Sequence, residues 1–128
     1  MTAVTFDFHN TLAICDEWFE LEIRQLAAAY LSWEARQRAT GPVDPALLDT
    51  AVTTYRQLRF EIMDHGNELS AEDCVAQVLE RLSQPVNMES IAHGVAELMR
   101  EVSAAATPVP GAVETVRGLR DAGVTLGV

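Results

Sequence analysis

The spacing of apolar residues changes once near each end of the chain, and this constrains the fold more than any other feature. Residues 3–8, AVTFDF, alternate in the manner of a strand, with Val4, Phe6 and Phe8 on one face and Ala3, Thr5 and Asp7 on the other. His9-Asn10-Thr11 breaks the alternation. From about Ile14 to Val102 the period is that of a helix, and only the last residues, Val124 to Val128, read as a strand again.

Four helical stretches fill the interval. The first spans about Ile14 to Arg38, and Phe19, Ile23, Leu26, Tyr30 and Trp33 form its apolar stripe. The acids of its early turns, Asp16, Glu17, Glu20 and Glu22, suit the positive end of the helix dipole and read as a solvated face. After the break at TGPVDP, a second helix runs from Pro45 to Asp64, with Asp44 as N-cap and Leu48, Val52, Tyr55, Leu58 and Ile62 inward. Ser70 starts a third, carrying Val75, Val78, Leu79 and Leu82. Asn87 caps a fourth, carrying Ile91, Val95, Leu98 and Val102. Short connections between four amphipathic helices predict an antiparallel bundle.

A linker up to Gly111 leads to a short helix with Val113, Val116 and Leu119 inward and Gly123 at its C-terminal cap. A helix followed through a glycine turn by an apolar run is the second half of a parallel crossover unit. The expected fold class is therefore α/β, represented mainly by a four-helix bundle inserted between two parallel strands. The expected divisions are residues 1–13, strand and loop; 14–106, helical insert; and 107–128, linker, helix and second strand. Two short strands do not make an independently stable sheet. The chain thus reads as a fragment, with residues after Thr107 mobile or taken up by a neighbouring chain. An unfinished sheet edge invites a homo-oligomer or strand exchange.

Composition narrows the function. Nineteen acidic against nine basic residues give a net charge of −10, which argues against nucleic acid, since a phosphate backbone needs a basic face. The N-terminus lacks a basic segment followed by an apolar one, and no apolar run reaches membrane-spanning length. Cys15 and Cys74 are far apart and outside any CxxC, so both are expected as reduced thiols. A soluble, cytoplasmic protein is the expectation.

Asp7 is the residue that asks for chemistry. It ends a strand otherwise built of phenylalanine, and ligands of open α/β sheets bind at the carboxyl ends of strands. A carboxylate there can attack an electrophile, hold Mg2+, or simply cap its loop by accepting backbone N–H groups.

The run TFDFHNTLA resembles the first motif of the haloacid dehalogenase-like (HAD) hydrolase superfamily, a hydrophobic strand followed by Asp-x-Asp-x-Thr or Val and then commonly Leu. Asp7 matches the nucleophile, Thr11 the hydroxyl residue and Leu12 the apolar residue after it. The helical insert resembles the family's helical cap, and TPVPGAVETVRGLRDAGVTLGV its re-entry into a Rossmann-type core. The resemblance implies a Mg2+-dependent phosphatase that acts on a small-molecule substrate, a phosphorylated metabolite, and forms an aspartyl-phosphate at Asp7. It implies loop N–H groups from Phe8 to Thr11 around the phosphate, with Asn10 and Thr11 on the substrate. Mg2+ would be held by Asp7 and by the main-chain carbonyl of residue 9.

Two departures matter. The family's second aspartate, its acid–base group, is His9 here, an imidazole able to move protons near neutral pH. The later motifs, including a Lys or Arg and an acidic pair for Mg2+, have no counterpart, and the chain contains no lysine. This chain by itself is therefore expected to be inactive or nearly so. Two alternatives stand beside a phosphatase. One is a 2-haloacid dehalogenase-type hydrolase, for which Arg24, Arg36 and Arg38 lie in the first cap helix. The other is a non-catalytic helical module for partner binding.

Overall fold

The computed structural model describes residues 3–66 and 68–128. The chain is mainly helical, with a small parallel sheet. In order it runs β1 (Ala3–Thr5), β2 (Ala13–Ile14), α1 (Asp16–Glu20), a π-helical segment (Leu21–Gln25), α2 (Leu26–Arg38), α3 (Pro45–Asp64), α4 (Ala71–Arg81), α5 (Met88–Ser103), β3 (Thr107–Pro108), α6 (Ala112–Asp121) and β4 (Thr125–Gly127).

The helix boundaries follow local chemistry. Asp44 accepts the Ala46 N–H at 3.0 Å, with Pro45 in the first turn of α3. Ser70 accepts the Asp73 N–H at 3.0 Å and returns its hydroxyl to Asp73 Oδ2 at 2.9 Å, so cap and third residue satisfy each other. Asn87 accepts the Ser90 N–H at 3.1 Å. At the end of α6, Gly123 takes φ +78°, its N–H reaches Arg120 O and the Val124 N–H reaches Leu119 O. That doubly bonded left-handed stop accommodates glycine without the Cβ penalty.

Helices α2 to α5 pack together, with α2 against α3, α4 and α5, and α4 against α3 and α5. The core is theirs: Leu26, Tyr30, Ala51, Tyr55, Cys74, Val75, Val78, Leu79 and Ile91 are essentially inaccessible. Its polar atoms are matched. The Tyr30 hydroxyl lies 3.0 Å from Ser90 Oγ, and Trp33 Nε1 donates to Glu97 Oε2 at 2.6 Å. Among the described residues no buried side-chain nitrogen or oxygen lacks a partner. Both cysteines are free and buried.

One expectation about the bundle fails. The first helix is not continuous, because Leu21–Gln25 is π-helical. A π turn inserts one extra residue and shifts the face presented by everything before it. Leu26, Tyr30 and Trp33 stay buried, whereas Phe19, expected on the same stripe, is 46% exposed. Tyr55, wholly buried on α3, donates its hydroxyl to the Glu22 carbonyl at 2.7 Å and so satisfies a carbonyl within the irregular turn.

The two ends of the chain meet. β1 and β4 pair in parallel, with Val4 opposite Leu126, and the Phe6 N–H continues the ladder to Gly127 O at 3.0 Å. β2 and β3 pair antiparallel, Ala13 opposite Pro108 and Ile14 opposite Thr107. The chain therefore enters and leaves the bundle at one point. Residues after Thr107 pair within their own chain, so the expectation that they are mobile or borrowed by a neighbour is overturned. The long bundle closes on itself and brings the two ends together, which short strands could not do alone. The strand of residues 3–8 is also shorter than expected: it ends at Thr5, and Phe8 turns out at 45% exposure. No residue of β1, β4 or α6 is buried. Val4, Leu126, Val113, Val116 and Leu119 are half-buried, as two strands and one helix cannot enclose a core. Among the described residues no helix is long and apolar enough to cross a membrane.

Candidate functional site

β1 delivers Asp7 two residues beyond its carboxyl end, beside the carboxyl end of the parallel β4. The loop that follows is closed by its own main chain. Phe8 O accepts the N–H groups of Leu12 (2.9 Å) and Ala13 (3.1 Å), and Asn10 N–H donates to Ala13 O at 2.7 Å. Asn10 has φ +56°, a left-handed conformation that asparagine tolerates better than most residues. Leu12 O then accepts the Val109 N–H, tying the loop to the returning chain.

Asp7 is exposed, and its Oδ1 accepts the Phe8 N–H at 2.9 Å. One carboxylate oxygen is thus engaged by its neighbour's main chain, and Oδ2 is the oxygen left to meet a ligand. Of the four loop N–H groups expected around an anion, those of Phe8 and Asn10 are already used. Those of His9 and Thr11 donate to no group of the described residues. The His9 ring stacks on Trp18, with centroids 4.1 Å apart and planes 26° apart, and meets Phe8 edge-on at 5.6 Å. Asn10 and Thr11 are exposed at the loop tip.

The neighbouring apolar groove, of about 320 Å3, is walled by Phe8, Leu12, Ala13, Pro108, Val113 and Val116. It lies between loop, returning chain and α6, and Asp7 does not line it.

Glu22, expected on a solvated face, is half-buried in the π segment. Burial raises its pKa above the usual carboxylate value, against the opposing pull of Arg59 and His9. Burial likewise raises the Cys74 thiol, against the pull of the nearby Arg59 guanidinium, and pushes the Tyr55 hydroxyl far up. Glu22 of the π segment, Arg59 of α3 and His9 of the Asp7 loop are thus an electrostatic grouping that acts on the Glu22 charge. Periodicity could not find it, because its members lie on three elements and Glu22 is turned by the π segment. His65 is exposed, with Nδ1 2.7 Å from Glu61 O, and His93 is exposed against the Trp33 edge.

Among the described residues no three His, Cys, Asp or Glu side chains converge as a metal site. Asp7 Oδ2 and the His9 carbonyl are two oxygens where Mg2+ takes six, so these residues do not form a magnesium site by themselves. No protein-family profile matches the chain, and no curated protein matches it significantly.

Proposed function

We propose that the chain carries the nucleophile strand and helical cap of a HAD-like hydrolase that acts on a small phosphorylated metabolite. The observation that carries this is the placement of Asp7 immediately past the carboxyl end of a strand paired in parallel with the returning chain. A bundle is inserted between the two. That is where an open α/β sheet presents its ligand groups.

In this reading Asp7 Oδ2 attacks phosphorus, an aspartyl-phosphate forms, and the leaving alcohol takes a proton from His9. The neutral imidazole then accepts a proton from water as water attacks the adduct. This releases phosphate and restores both groups. The His9 and Thr11 N–H groups steady the phosphate oxygens. Mg2+ belongs to the proposal only together with oxygen ligands from polypeptide other than residues 1–128, and none of the steps above is routed through it. The test is hydrolysis of p-nitrophenyl phosphate by the protein expressed from its whole reading frame. Asp7→Asn abolishes turnover; a variant that keeps most of the activity removes Asp7 as nucleophile.

A second reading rests on the hydrogen bond from the Phe8 N–H to Asp7 Oδ1. An aspartate so bonded also serves as a loop cap in a non-catalytic helical module. Wild-type protein without hydrolytic activity, and with Asp7→Asn lowering stability alone, favours that reading.

A further inference from the structure

We propose that a small cavity between the π segment and α3 binds an organic anion, a carboxylate or phosphate monoester carrying a short apolar or aromatic group. The cavity is about 170 Å3 and is lined by Ile23, Arg24, Arg56, Arg59, Phe60 and Met63. Three of the chain's nine arginines meet here, in a protein of net charge −10. Of these three, Arg24 alone is ion-paired to a described residue, Glu20 at 2.7 Å. No carboxylate oxygen of the described residues lies within 4.0 Å of the Arg56 or Arg59 guanidinium. Glu22 faces Arg59 from the π segment and Glu20 holds Arg24, so these two acids oppose an incoming anion.

The rest of the lining is apolar. Phe60 and Met63 are 64% and 66% exposed, although neither contributes to the core. Exposed apolar surface next to unpaired guanidinium groups matches a ligand with one charged end and one greasy end. A cavity of about 150 Å3 accepts benzene, so this one has room for a ring or a short aliphatic chain. The architecture is held in place: Tyr55 bonds the Glu22 carbonyl, which fixes the π turn, and the turn directs Ile23 and Arg24 toward α3. None of Asp7, His9, Asn10 or Thr11 lines the cavity.

The test is titration of the full chain with phenylphosphonate, which carries both features and is not hydrolysed, followed by NMR shifts. Binding rather than turnover is read, so the outcome is separate from whether Asp7 is a nucleophile. Saturable shifts at Ile23, Phe60 and Met63 are expected, with tighter binding than for inorganic phosphate. Arg56→Gln and Arg59→Gln each weaken binding about tenfold, the usual scale for a lost charge-assisted hydrogen bond. Arg117→Gln, on α6, leaves it unchanged. Arg56 is exposed, so its variant folds and carries the test if Arg59→Gln does not. The proposal is overturned by shifts that do not saturate, by equal binding of inorganic phosphate, or by Arg56→Gln binding as the wild type does.

Discussion

Adding one methyl group at Gly94 probes the packing of the bundle most sharply. A Cβ there would stand 2.7 and 2.8 Å from Trp33 Cε3 and Cζ3 and 2.9 Å from Tyr30 Cδ2, all closer than carbon atoms tolerate. Neither ring can yield easily. Trp33 is held by Glu97 through Nε1 and stacked on Tyr30 at 5.8 Å, and Tyr30 is wholly buried beside Ser90. Overpacking of this kind costs about 1–3 kcal/mol, and alanine's better helix propensity returns up to about 1 kcal/mol. Three contacts below 3.0 Å to two held rings put the cost at the upper end of that range, so Gly94→Ala destabilises by about 2 kcal/mol, read as a lower urea midpoint with unchanged slope and a Tm lower by roughly 6–10 °C. The same change at Gly118, where a Cβ meets nothing within 4 Å, should instead slow amide exchange in α6. A Gly94→Ala protein as stable as the wild type would mean that α2 and α5 do not approach as described.

Three further substitutions follow from the same geometry. Tyr55→Phe leaves the Glu22 carbonyl without its partner and should cost about 1–3 kcal/mol in urea unfolding, with faster amide exchange in the π segment; an unchanged midpoint would contradict the hydrogen bond. Glu22 has a folded pKa raised above its unfolded value of 4.5, so the burden of its charge is present at neutral pH and vanishes as pH falls through the folded value to below 4.5. Glu22→Gln should accordingly raise Tm at pH 7 and lose that gain below pH 4.5, and a gain independent of pH would refute the assignment to burial. His9→Asp should keep or increase phosphate-ester hydrolysis if His9 stands in for an acid–base carboxylate; complete loss would give the imidazole a different task.

Much of the bundle is legible in the sequence because its determinants are local. Asp44, Ser70 and Asn87 cap the helices that their positions predict, and Tyr55, Val75, Val78, Leu79 and Ile91 are buried as their spacing requires. The π segment is not legible, because the partner that stabilises it, Tyr55, is 33 residues away. The two strands pair in parallel as expected, and the expectation that residues after Thr107 are mobile or borrowed fails for a related reason. Residues 3–5 and 125–127 have little to offer as isolated strands, and what joins them is a bundle whose two ends leave at the β2–β3 ladder. Asp7, His9, Asn10 and Thr11 are neighbours in sequence, so their grouping needed no fold. The arginine cavity did, since Arg24 comes from the π segment and Arg56 and Arg59 from α3.

The decisive measurement is chemical trapping at Asp7. The protein from the whole reading frame is incubated with acetyl phosphate, reduced with borohydride and analysed by peptide mass spectrometry. Conversion of Asp7 to homoserine, absent in Asp7→Asn, is the result expected of an aspartyl-phosphate. An unmodified Asp7 in protein that hydrolyses phosphate esters would contradict the account.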